Sequence, residues 1–351
     1  MWWLTFALCA REIERMEERK IGETSLAVSA VGLGCWAIGG DTWRNGKSCG
    51  WTGIDNEESI KAIRRALALG ANFIDTADLY GCGHSEHLIA RAIEGRRDQV
   101  IIATKFGFQI DETTRTTTGQ KCDRDYVFSA CEASLRRLNT EHIDLYQFHL
   151  WNSDKGEEVR DVLEELVSSG KIRYYGWSTD NPDNARLFAQ GKNCVAIQQR
   201  MNVFEGNFET LRVCESHNLA SINRGPLAMG LLTGKFSSDT TFPNDDVRYD
   251  WDMKEGPQAE QLRKLDMLRD ILTSNGRTLA QGAICWLWAI SSSTIPIPGF
   301  TNVKQVEENL GALEFDPLSS EQLQEIDLIL GRRLPPVQNK SDEGNPDERD
   351  A

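Results

Sequence analysis

Residues 56–76 read NEESIKAIRRALALGANFIDT, and the fold is decided in this stretch. Asn56 reads as a helix cap, Glu57–Leu69 carries apolar residues at helical spacing, Gly70 ends the run, and Phe73–Thr76 is a short β-rich segment. The same alternation recurs along the chain. Strands are predicted at Val31–Trp36, Phe73–Thr76, Val100–Lys105, Ile143–His149, Arg173–Ser178, Val195–Asn202, Ala220–Gly225 and Thr294–Pro298. Between them lie amphipathic stretches such as Tyr126–Leu138, Val159–Ser168, Phe208–His217 and Val303–Leu313. Eight strands, each followed by a helix, predict a parallel α/β sheet that closes most simply into a (β/α)8 TIM barrel. An open doubly wound sheet is the competing architecture. It asks for a GxGxxG turn after its first strand, and the chain has none.

The chain has 351 residues, 40% hydrophobic and 26% charged, which excludes fibrous and wholly disordered classes. Against 39 Lys and Arg stand 53 Asp and Glu, a net charge of −14. So acidic a surface repels phosphate backbones, and no nucleic-acid partner is expected. Nine cysteines sit singly, with no CxxC pair. That pattern is neither a disulfide framework nor a metal site, and it fits a reducing, cytoplasmic setting. Met1–Ala10 is apolar but too short to span a bilayer, and no membrane association is expected. Residues 1–15 are therefore read as a disordered N-terminal extension, 16–334 as the barrel, and 335–351 as a disordered acidic tail. A polar, Trp- and Asp-rich segment, Phe236–Gly256, precedes helices at Gln258–Ser274 and Leu279–Ile290. It reads as a helical insertion between strands 7 and 8, and a further helix is expected near the C-terminus.

In such barrels the chemistry stands at the carboxyl ends of the strands. Strand 2 ends at Asp75 with Tyr80 in its loop, strand 3 at Lys105, and strand 4 at His149. Singly, each has an ordinary explanation: a helix-capping Asp, a half-buried loop Tyr, a solvated Lys, a satisfied core His. Together they end three adjacent, otherwise apolar strands, and so are expected to converge on one face.

These residues also carry a resemblance. GANFIDTADLYG (70–81), continuing to Ser85 and Glu86, resembles the aldo-keto reductase signature around that family's Asp and Tyr. LRRLNTEHIDLYQFH (135–149) resembles its second signature. PLAMGLLTGK (226–235), Ile297-Pro298-Gly299 and Glu307-Glu308-Asn309 resemble its cofactor segments. The similarity runs from about Met16 to Leu334, in order and spacing, and is to the extended bacterial type. It implies a catalytic tetrad of Asp75, Tyr80, Lys105 and His149. Tyr80 would protonate the carbonyl oxygen, with Lys105 lowering the phenol's pKa, Asp75 pairing with Lys105, and His149 orienting the substrate.

The resemblance further implies a nicotinamide cofactor, NADP(H) before NAD(H). Its contacts would be Gly34, Trp36, Ser178, Thr179, Gln198, Arg224, Gly225, Pro226, Leu227, Gly230, Leu231, Lys235, Gly299, Thr301, Gln305, Glu308 and Asn309. Thr179 stands where many members have Asn. Arg224 stands where many have an aromatic residue stacked on the nicotinamide; pairing with a carboxylate is its other reading. Members that grip a 2′-phosphate often carry Lys, Ser and Arg where this chain has Gly299, Phe300 and Gln305; Lys304 is retained. Trp36, Tyr80, His149 and Trp151 are expected to line the substrate pocket, whereas Trp43, Trp51 and Trp251 read as loop packing. The implied function is an oxidoreductase reducing an aldehyde, ketone or sugar. Two alternatives stand beside it: a polyol dehydrogenase working in the oxidative direction, and a cofactor-binding redox sensor. A small-molecule partner is expected, in a monomer or homo-oligomer.

Overall fold

The computed structural model describes residues 18–151 and 153–332. The predicted extension (1–15) and acidic tail (335–351) lie outside the described residues. Eight parallel strands form one sheet in sequence order: β1 (Leu33–Gly34), β2 (Phe73–Asp75), β3 (Ile101–Phe106), β4 (Ile143–Phe148), β5 (Ile172–Ser178), β6 (Cys194–Arg200), β7 (Ala220–Arg224) and β8 (Thr294–Pro296). The sheet closes on itself. Gly32 N and Gly34 N donate to Pro296 O (2.9 Å) and Pro298 O (3.0 Å), and Gly34 pairs with Gly299 in a parallel bridge. A Cβ on Gly34 would stand 2.4 Å from Ile297 O, so glycine is what lets the two edges meet. Closure removes the open-sheet alternative.

The helices are α1 (Asn56–Ala68), α2 (His84–Ala92), α3 (Arg124–Leu138), α4 (Gly156–Ser168), α5 (Pro182–Ala189), α6 (Phe208–Ser216), α7 (Gly256–Leu272), α8 (Leu279–Ile290), α9 (Val303–Leu310) and α10 (Ser320–Leu330). One expected cap is corrected. Asp55, not Asn56, caps α1, its carboxylate accepting from Glu58 N, while Asn56 is the first helical residue. The segment between β7 and β8 also divides differently from its sequence reading. The run LAQGAICWLWAI is apolar all round, so α8 must be covered on two sides. It packs on β8 as the barrel's own helix, and α7 and α10 lie against its outer side. The inserted part is thus the stretch from 236 through α7.

The short strands Glu18–Lys20 and Ala27–Ser29 form an antiparallel hairpin. Its Ile21, Leu26 and Val28 are buried in one apolar cluster with the inward residues Phe73, Ala103, Leu145, Ala196, Ile222 and Ile295, so the hairpin plugs the amino-terminal end of the barrel. At the other end, Trp43–Arg44 and Lys47–Ser48 join Phe108–Asp111 and Thr116–Gln120 in a four-stranded sheet beside the mouth.

Candidate active site

Strand periodicity builds the site. Side chains two apart share a face, so an apolar inward residue is followed by a second inward residue nearer the carboxyl end. Phe73 is followed by Asp75, Ala103 by Lys105, Leu145 by Gln147 and then His149, Ala196 by Gln198, and Ile222 by Arg224. Below, the barrel interior is hydrocarbon. Above, it is a polar layer.

The four predicted residues meet in that layer. Lys105 is wholly buried, and its Nζ donates to Asp75 Oδ1 (2.6 Å), Thr76 O (2.7 Å) and Tyr80 OH (3.2 Å). All three ammonium protons therefore have acceptors. His149 sits edge-on to Tyr80 with ring centroids 6.1 Å apart. Gln147 Nε2 (3.1 Å) and Gln198 Nε2 (2.7 Å) both donate to Asp75 Oδ2, fixing the carboxylate from its far side. Gln147 is absent from the residues singled out in the sequence, although its place two before His149 puts it on the same inward face.

Burial disfavours charge on Lys105, but Asp75 and then Tyr80 outweigh it and hold the ammonium above the ordinary lysine value. The Tyr80 phenol departs from expectation. Burial raises its pKa, and the opposing pull of Lys105 does not fully offset this, so the phenol lies above its ordinary value rather than below. Tyr80 is thus protonated at neutral pH. His149 is held well below the usual imidazole range, first by burial and then by the positive charges of Lys105, Arg224 and Arg44, and so is neutral.

Three predicted cofactor residues present buried polar atoms without partners in this layer: Ser178 Oγ, Gln198 Oε1 and Arg224 Nε. An amide group carries both the donor and the acceptor that Ser178 and Gln198 need, so this pair fits a nicotinamide carboxamide. Arg224 takes the second of its readings, the carboxylate partner. It is paired with Asp180 (2.5 Å), and its guanidinium lies 5.9 Å from the Trp151 ring at the mouth. Thr179 is buried and its hydroxyl donates to Trp151 O (3.2 Å), so that group is already engaged.

Beyond β7 the loop containing Gly225, Pro226 and Leu227 runs to Lys235. Ala228, Met229 and Gly230 follow one another at positive φ (47°, 52° and 101°), a concentration of backbone strain typical of ligand-holding loops. Leu227 and Leu231 are buried in the core, leaving only their backbone to face a ligand, while Lys235 is exposed. Phe300 is also in the core and cannot stand in for a phosphate-binding hydroxyl. Gln305 Oε1 accepts from Thr301 N (2.8 Å) and Thr301 Oγ1 (3.2 Å), and Asn309 Nδ2 donates to Gly299 O (3.4 Å). These residues brace the loop after β8. Glu308 is half-buried, and its backbone carbonyl accepts from Gln281.

Rings wall the mouth. Trp36 lies 6.3 Å from Tyr80 and 5.6 Å from Trp51, Phe108 lies 5.6 Å from His149, and the half-exposed Trp151 lies 6.4 Å from His149. Trp51 therefore backs the pocket wall, and Trp251 packs on Phe242 in the insertion. The eight described cysteines are free thiols, and no helix among the described residues is long and apolar enough to cross a membrane.

Comparison with known proteins agrees with the barrel fold. Residues 30–330 match the model of the aldo/keto reductase family. The chain is 33% identical over 323 residues to aldo-keto reductase YhdN of Bacillus subtilis, covering 90% of this chain and 94% of the relative. It is 31% identical over 339 residues to Schizosaccharomyces pombe aldo-keto reductase yakc, which bears NADP(+) in its name, covering 91% and 94%. Among solved structures, the glycerol dehydrogenase AKR11B4 of Gluconobacter oxydans superposes with a TM-score of 0.79 at 31% identity, covering 93% of this chain and 99% of that one.

Proposed function

The chain belongs to the aldo/keto reductase family, and from that premise we propose how its residues carry out NAD(P)H-dependent carbonyl reduction. NADP(H) is the cofactor, as the name of the S. pombe relative indicates for that protein. Ser178, Gln198 and Arg224 would hold its nicotinamide, and the 225–235 loop its pyrophosphate. Bound there, the reduced nicotinamide supplies a hydride to the carbonyl carbon.

The observation that carries the assignment is the buried chain Asp75–Lys105–Tyr80, with bonds of 2.6 and 3.2 Å. Tyr80 is the general acid: its protonated phenol gives a proton to the carbonyl oxygen as negative charge develops there. Lys105 stabilises the phenolate that this leaves. Asp75, held by Gln147 and Gln198, keeps the ammonium in place and charged. Neutral His149 offers a ring N–H to the same carbonyl oxygen and orients it. Trp36, Trp151 and Phe108 exclude water around the reacting centre.

The test is to follow the absorbance of NADPH with a panel of aldehydes and ketones, and of NADP+ with polyols. Wild type should turn over, and Tyr80→Phe should lose about 10²–10⁴-fold in kcat while still binding NADPH. A Tyr80→Phe protein with wild-type kcat overturns the assignment. Tight cofactor binding without turnover on any compound favours a redox sensor instead.

A further inference from the structure

Arg44 borders the pocket, and no carboxylate among the described residues pairs with it. It lies on the ribbon beside the mouth, and its guanidinium carbon is 4.7 Å from the centre of the Phe108 ring. Phe108 meets His149 edge-on, so the guanidinium is one ring away from the imidazole. The two cations nearest the carbonyl site are neutralised, Lys105 by Asp75 and Arg224 by Asp180. Arg44 forms no ion pair among the described residues, and its Nε is buried without a hydrogen-bond partner. A second orphaned donor, Trp51 Nε1, belongs to the ring that backs Trp36. His149 feels the charge of Arg44, as its depressed basicity records.

An arginine that is partly desolvated and unpaired is costly unless an anion completes it. Its planar fork matches a carboxylate through two parallel N–H···O bonds. A pocket with aromatic walls and a few convergent polar groups binds an apolar body and reads a polar end. We propose that Arg44 is a specificity-determining residue that receives a carboxylate carried by the substrate, so that the preferred carbonyl compounds are acids bearing an aldehyde or ketone at their far end. This rests on the carbonyl-reductase reading above.

The experiment compares kcat/KM with NADPH for 2-, 3- and 4-carboxybenzaldehyde, each against its methyl ester, in wild type, Arg44→Gln and Arg44→Lys. Each ester keeps the aldehyde and ring and removes only the charge. Wild type should prefer the acid for at least one isomer by about tenfold or more. Arg44→Gln should lower that acid-to-ester ratio about tenfold, chiefly by raising KM for the acid, and Arg44→Lys should recover part of it. Without any variant, the wild-type ratio should fall as NaCl is raised, because a rim charge is screened. Reduction of the esters with no isomer preferred as the acid, a ratio unchanged in Arg44→Gln, or a salt-independent ratio overturns the role of Arg44 alone. A wild-type protein that reduces none of the six compounds overturns this inference, and one that also fails on the whole aldehyde and ketone panel overturns the reductase reading with it.

Discussion

Three acceptors converge on the Lys105 ammonium, and one of them is the phenol proposed as the general acid. Replacing Lys105 with Met should lower kcat for reduction by about 10²–10⁴-fold, as for loss of a group that stabilises the conjugate base of the acid. The sign of the pH effect follows from the phenol. Tyr80 already lies above its ordinary value, and removing the cation raises it further. Reduction needs the protonated form, so its alkaline fall moves to higher pH in Lys105→Met. Alcohol oxidation needs the phenolate, so its rise with pH moves the same way. Profiles of kcat against pH in both directions check this, and unshifted limbs would contradict it. Stability should fall by about 1–3 kcal/mol, short of the cost of a bare buried carboxylate, because Gln147 and Gln198 still donate to Asp75.

Among the elements, the barrel strands were legible because short β-rich runs, buried on both faces, alternate with amphipathic helical stretches. The ribbons at the mouth were not. Thr116–Gln120 reads TTTGQ, and it is held as a strand by pairing with Phe108–Asp111 on one side and Trp43 on the other. The inserted segment is likewise fastened by contacts invisible in one dimension. Arg248 makes two bonds to the Asp246 carboxylate, both 2.8 Å, and its guanidinium lies over Trp51 (4.3 Å) and Phe242 (4.5 Å). Val247 N and Ser48 Oγ tie the same segment to the first ribbon. Asp246→Ala should weaken this clasp by about 1–2 kcal/mol, which makes local opening roughly five to thirty times more frequent. Limited proteolysis between 236 and 256 should accelerate by that factor while the global unfolding midpoint moves little; equal cleavage rates would show that the clasp is not what closes the segment.

At the scale of the whole molecule, the plug and the site occupy opposite ends of one barrel. Ile21 is fully buried beneath the polar layer, and Ile21→Ala should cost about 2–5 kcal/mol, read as a lower urea midpoint. NADPH affinity at the far end should change less than about twofold, since distant sites act independently; a large loss of affinity would mean that the two ends are coupled. From the sequence alone came the eight strands, the parallel class and the convergence of Asp75, Tyr80, Lys105 and His149, because strand runs and strand termini are local properties and the motifs lie in contiguous stretches. Closure waited on structure, since Gly34 meeting Ile297 and Gly299 joins residues more than two hundred positions apart. So did the grip of Gln147 and Gln198 on Asp75, the diversion of Gln305 to Thr301, and the burial of Phe300. The direction of the Tyr80 shift was settled the same way: a phenol's pKa is set by how much desolvation the surrounding barrel imposes against one nearby cation, and only three-dimensional packing determines that balance.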